Sequence, residues 1–181
     1  MHESRMRRKP GSRGRSPARV ARQRRGTLIL EMVLVLPLIL IALLAAIQFG
    51  KYFANMQEIA LAARIGGLAA SRTPSLSGVP GDPVPATVLD AVYRQLASAG
   101  IHTAAIALEH NLDGDPVLLQ TPADASIDVD FISAPPPGGY VRVIVIVPQA
   151  AIMPDLLRAC GLHLVLPGKI TAFSNVFRYS L

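Results

Sequence analysis

The sequence predicts an α+β protein: one long N-terminal helix, its first part crossing a membrane, followed by a small domain built on an antiparallel sheet. Three observations predict it. Met32 to Gly50 contains no charged residue, and as a helix it would be about 28 Å long, close to the ~30 Å hydrocarbon layer of a bilayer. A dense basic leader precedes this run. Beyond Gly100 the spacing of apolar residues changes from helical to alternating, which is the signature of strands.

The chain has 181 residues, room for one domain of ordinary size. Hydrophobic residues make up 51% of it but aromatic residues only 5%, with no Trp, so the apolar content is concentrated in the run above. Charge is concentrated too. Residues 1–25 hold ten Lys or Arg against Glu3 alone, a net of +9, so the remaining residues carry −3 of the overall +6. The isoelectric point of 10.1 therefore describes the leader and not the body, and a basic surface for nucleic acid is not implied. Cys160 is the one cysteine, so no intramolecular disulfide forms and the thiol is expected to be buried.

Three readings compete for Gly26 to Gly50. A cleaved secretory signal has an apolar core of about 7–15 residues and then a small-residue cleavage site. Here the run is longer and ends in Gln48-Phe49-Gly50-Lys51. A buried core helix leaves the ten upstream basic residues unexplained. A signal anchor accounts for both. Only Lys51, Arg64 and Arg72 follow the span closely, so the positive-inside rule keeps the N-terminus cytoplasmic and places the rest outside. Glu31 lies one turn into the span, where a lone carboxylate is costly. Two readings stand: it snorkels towards Arg24 or Arg25, or it has a dedicated positive partner in an assembly.

These residues carry a family likeness. Arg24-Arg25-Gly26, then Thr27-Leu28-Ile29-Leu30, then Glu31 and the apolar run resemble the class III signal of type IV pilin-like proteins. In detail the chain is similar to the TadE-like family, the minor pseudopilins of tight-adherence (Flp-type) pilus systems. The resemblance rests on Glu31-Met32-Val33-Leu34-Val35-Leu36-Pro37-Leu38, Phe49-Gly50-Lys51 and Ala62-Ala63-Arg64-Ile65-Gly66. Val143 to Pro148, Met153-Pro154 and Ile170 to Tyr179 match more weakly. Met32 stands where the family usually has an aromatic residue, and Leu68 where a second arginine is common.

The resemblance implies cleavage by a membrane prepilin peptidase between Gly26 and Thr27, which makes Glu31 the fifth residue of the mature chain. It implies a pilin-like fold and three parts: a basic cytoplasmic leader over 1–26, a transmembrane helix over 27–50 and an extracytoplasmic domain over 51–181. It also implies an inner-membrane, single-pass location, a non-enzymatic role and no cofactor. The implied partners are the peptidase, other pilins or pseudopilins, an inner-membrane assembly platform and the lipid bilayer, with no nucleic acid. The chemistry is compatible. Glycine offers the least hindrance at a scissile bond, and cleavage exposes an α-amine on Thr27 that can pair with Glu31 of a neighbour as a register device. Pro37 frees a backbone carbonyl that a neighbouring helix can satisfy, or is a tolerated kink. The competing reading is a signal-anchored binding or enzymatic domain with no pilus role; a secreted protein is the third.

Beyond the span the helix is expected to continue to about Ser71. Its small side, with Ala62, Ala63, Gly66, Gly67 and Ala70, permits close packing on its own domain or on a partner. Thr73 to Ala86, with four prolines, is a loop. Thr87 reads as an N-cap with Asp90 in a capping-box position. Leu89, Val92, Tyr93 and Leu96 define an amphipathic helix that Gly100 closes. Strands are expected over Ile127–Phe131, over Tyr140–Val147 as the central one, and over Ile170–Tyr179, with Ile101–Glu109 a further candidate. Ala150 to Ala159 reads as a short helix. Asn111-Leu112-Asp113-Gly114-Asp115 lacks the bidentate Glu of a calcium loop, and Cys160 with His163 are two ligands where zinc needs more. Asp124, Asp128 and Asp130 read as solvated, and no hydrolase, zincin or phosphate-loop motif is present.

Overall fold

The computed structural model describes the backbone of residues 17–121, 134–166 and 168–180, with side chains from Ile29 onward. The expected strand over Ile127–Phe131 lies outside the described residues, as do Asp124, Asp128 and Asp130. Two compact units divide the chain, Met1–Ala42 and Leu43–Leu181.

Helix α1, Pro17–Ser71, runs through both and continues past Pro37. In the first unit its described side chains are almost all exposed, among them Met32, Leu34 and Leu36. Among the described residues it is the one helix long and apolar enough to cross a membrane. Its best 18-residue window has a mean hydropathy of 2.8 and none of that window is buried. A core helix of a soluble domain would be mostly covered; this one presents its apolar side chains outward, as a helix solvated by lipid does.

The second unit is a sheet covered on one face by helices. Helix α2 spans Ala86–Ser98, strand β1 Ala105–Asn111, β2 Val117–Thr121 and β3 Tyr140–Pro148. A four-residue α3, Gln149–Ile152, and a 3-10 turn, Leu156–Cys160, lead to β4, Ile170–Arg178. All pairings are antiparallel, in the order β2-β1-β3-β4. β3 is central because its run of Val and Ile suits burial on both faces. Val141, Val143, Val145 and Val147 face the helices; Ile144 and Ile146 lie buried with Ala107 in a separate cluster. Onto the first face α2 brings Val88, Val92 and Leu96, and α1 brings Ile59, Ala62, Ala63 and Ala70.

α2 begins differently from the capping box expected of Thr87 and Asp90. The N-cap is Pro85, with no side-chain cap bond, and Thr87 Oγ1 instead lies 3.2 Å from Thr73 Oγ1. Proline fixes the entry φ, so the helix starts without a side-chain acceptor. The other end follows expectation: Gly100 takes φ +74. Its N–H donates to Ala97 O at 3.0 Å and Ile101 N–H to Leu96 O at 3.0 Å, the two bonds of a Schellman motif.

The two sheet edges differ. Along β2, Gly81 N–H donates to Leu118 O at 2.9 Å and Gln120 N–H to Asp82 O at 3.1 Å. The proline-rich loop thus closes that edge, which is one way proteins prevent edge pairing. At the other side Ser180 N–H and Tyr179 Oη bond Ser71 O and Thr73 O, at 3.2 and 2.9 Å, joining the end of β4 to the end of α1. His110 is buried on β1, and its Nε2–H donates to Ser77 O at 2.8 Å.

Opposite the helices, Glu109 and Arg142 are direct cross-strand partners, with Arg142 Nη1 donating to Glu109 Oε2 at 2.9 Å. Burial pushes the Glu109 carboxyl above its ordinary 4.5, outweighing the attraction of Arg142. The folded state therefore holds this proton more tightly than the unfolded chain. Its contribution is greatest below 4.5 and declines as pH rises from there through the folded value. Thermal unfolding of the full chain from about pH 4 to about pH 7 should show wild type losing stability relative to Glu109→Gln. Parallel profiles would refute the assignment.

Candidate functional site

The site residues expected from the sequence all lie on α1. Gly26 and Thr27 fall in its helical backbone, Glu31 follows one turn later, and Pro37 sits inside the helix. Glu31 is exposed on the helix surface, in a stretch where Ile29, Leu30, Met32 and Val33 are exposed as well. A carboxylate on an otherwise apolar surface is expensive in lipid, a cost that either reading of Glu31, snorkelling or a positive partner, would offset. Pro37 lacks the N–H that would bond the carbonyl of Val33.

From Leu43 onward α1 is part of the domain. Its small residues serve its own core: Ala62, Ala63 and Ala70 are buried, and Gly66 and Gly67 sit against side chains of the domain. A Cβ on Gly66 would lie 2.5 Å from Val92 Cγ2 and 3.1 Å from Val143 Cγ1; one on Gly67 would strike the ring of Phe177. Of the two readings of this stripe, packing on the chain's own domain is the one observed. Gln95 Nε2 of α2 adds a bond to Glu58 Oε2 at 2.6 Å.

Two polar side chains that sequence reasoning missed anchor the C-terminal half. Gln48 is fully buried, and its Oε1 accepts from Leu157 N–H at 3.1 Å. Asn55, also buried, donates from Nδ2 to Ile152 O at 2.6 Å. The signal was present: two amides seven residues apart fall on one helix face, two turns from each other. Both bond backbone groups at irregular points of the α3–3-10 segment, which supplies no regular partner for them.

Cys160 is exposed, not buried as expected, because it falls at the end of the 3-10 turn beside Gly161, which takes φ +79. His163 Nδ1 lies 3.9 Å from Asp155 Oδ2, and Asp113 and Asp115 are exposed in the β1–β2 connection. Among the described residues no three His, Cys, Asp or Glu side chains come together.

The fold and site define a class: an α+β domain carried on a single apolar N-terminal helix of membrane-spanning length. Within it, the family model described as TadE-like protein matches residues 26–67. The match starts at Gly26, takes in Glu31 and Pro37, and ends at Gly67 against the domain core. It agrees with the resemblance read from the sequence and supports a place in pilus assembly at a membrane. No curated protein and no solved structure matches the chain.

Proposed function

We propose that this chain is a membrane-anchored minor pseudopilin acting in assembly of a tight-adherence pilus, processed by a prepilin peptidase after Gly26. The observation that carries the reading is the extent of the family match, which opens at Gly26 and runs through Glu31 and the uncharged span. In this reading residues 1–26 are a cytoplasmic leader, 27–50 span the inner membrane and 51–181 lie outside. The role is structural, not enzymatic. Its partners are the peptidase, other pilins and an inner-membrane platform.

The peptide bond after Gly26 lies in helical backbone, so a peptidase that needs an extended strand must first open the helix there. Glycine makes that easier, since it favours the helix by about 1 kcal/mol less than alanine does. Cleavage then frees the Thr27 amine for Glu31 of a neighbouring subunit. A buried pair of this kind sets register more than it adds stability.

N-terminal mass spectrometry of the protein from its native membranes tests the reading. The expected mature chain begins at Thr27, and Gly26→Arg abolishes that product. Glu31→Ala is expected to leave cleavage in place and to remove the protein from sheared pilus fractions. Recovery of wild-type peptides running unbroken from Arg25 into Leu28, with no shorter form, would exclude the pseudopilin assignment.

A further inference from the structure

We propose that the loop Gly161–Leu166 is a second membrane contact, setting Leu162, Leu164 and Leu166 into the interfacial layer of the bilayer that α1 spans. The inference rests on the membrane reading of α1.

The three leucines are 49%, 37% and 52% exposed, an apolar cluster on a loop where water gives no return for it. Two hydrogen bonds tie the start of the loop to a level along α1. Leu157 N–H donates to Gln48 Oε1 at 3.1 Å. Leu162 N–H then donates to Leu157 O at 3.1 Å across the Gly161 turn. Gln48 belongs to the last turn of the uncharged run, and Lys51 is the first charge after Glu31. Phe49, Tyr52 and Phe53 flank that lysine, the aromatic signature of a headgroup layer.

The chain approaches this level from outside. Ile152 O is held by Asn55, which stands two turns, about 10 Å, farther along α1 than Gln48. From Ile152 to Leu157 the chain therefore steps towards the end of the span and then presents its leucines. Arg158 and Lys169, both exposed, bracket the loop, a charge pattern complementary to lipid phosphates. Continuity with the span and this charge pattern favour lipid over another protein as the occupant.

The test uses the full chain reconstituted in vesicles of phosphatidylcholine and phosphatidylglycerol. The protein has no Trp and one Cys, so single probes can be placed without removing others. Leu164→Trp is expected to emit at shorter wavelength than in water and to be quenched by lipids brominated near the headgroup. A nitroxide on the native, exposed Cys160 is expected to be reached by oxygen more readily than by an aqueous nickel chelate. This second probe alters no leucine and decides the matter should the Trp variant not fold. Water-like unquenched emission, with the nitroxide open to the chelate, overturns the proposal. So does protection that appears only at high protein-to-lipid ratio, which would mean a second copy, or only with pilus proteins added. Ile39→Trp, in the span, separates the two readings. If lipids brominated deep in the acyl chains do not quench it, the membrane reading fails; if they do and the loop probes fail, only the loop contact falls.

Discussion

Gly66→Val should destabilise the domain by an amount at or beyond the upper end of the roughly 1–3 kcal/mol that overpacking a core costs. Even the first added carbon meets Val92 Cγ2 at 2.5 Å and Val143 Cγ1 at 3.1 Å. Both valines are fully buried, one on α2 and one on the central strand. Their branched side chains have little rotamer freedom, so relief requires α1 to move off the sheet. Gly66→Ala makes the contest closer: alanine gains about 1 kcal/mol of helix propensity, and the clash still outweighs it. Gly67→Ala is the internal comparison. Its added carbon meets the ring of Phe177, which lies on the edge strand β4 and is only half buried, so it is less confined than the two fully buried valines. Thermal unfolding of the full chain in detergent should rank Gly66→Val below Gly66→Ala, and Gly66→Ala below Gly67→Ala. A Gly66→Ala protein as stable as wild type would show that the close approach of α1 is not needed.

Asn55→Asp should be the second most damaging change, and worse than Asn55→Ala. Alanine leaves the Ile152 carbonyl buried without its donor, a cost of about 1–3 kcal/mol. Aspartate sets a carboxylate oxygen where Nδ2 now lies, 2.6 Å from that carbonyl, and adds the desolvation of a charge with no partner. The effect should also be local. Hydrogen exchange in Gln149–Cys160 should accelerate in both variants while β1 and β3 stay protected, because the tether joins that segment alone to α1. Uniform acceleration across the sheet, or no change in the segment, would contradict the role given to Asn55.

Much of this architecture could be read from residue patterns because the responsible forces are local. The uncharged run, the helical face of Val92 and Leu96, the Gly100 stop and the β-branched run of β3 each state their structure within one element. β2 was not legible. Val117–Thr121 has five residues, and its pairing with β1 and with the Gly81–Asp82 backbone is fixed by distant chain. β1 was foreseen one turn too early: Ile101 belongs to the closing motif of α2, so the strand starts at Ala105. The expected helix over 150–159 is broken into α3 and a 3-10 turn, since Pro154 interrupts it. The proposed processing motif is a run of consecutive residues, so its reading rests on sequence alone. The amide tethers were half legible: the two amides share a helix face, but their partners are 97 and 109 residues away.

The packed unit begins at Leu43, while the uncharged run ends only at Gly50. Those eight residues answer to lipid on one side of the helix and to protein on the other. A fragment trimmed for solubility at Lys51 would discard Gln48 and leave the Leu157 amide with no acceptor from α1. Trimming at Leu43 and replacing outward-facing Leu43 and Ile47, 54% and 51% exposed, with polar residues would keep the fastening intact. For this protein the hydropathy plot marks the wrong place to cut.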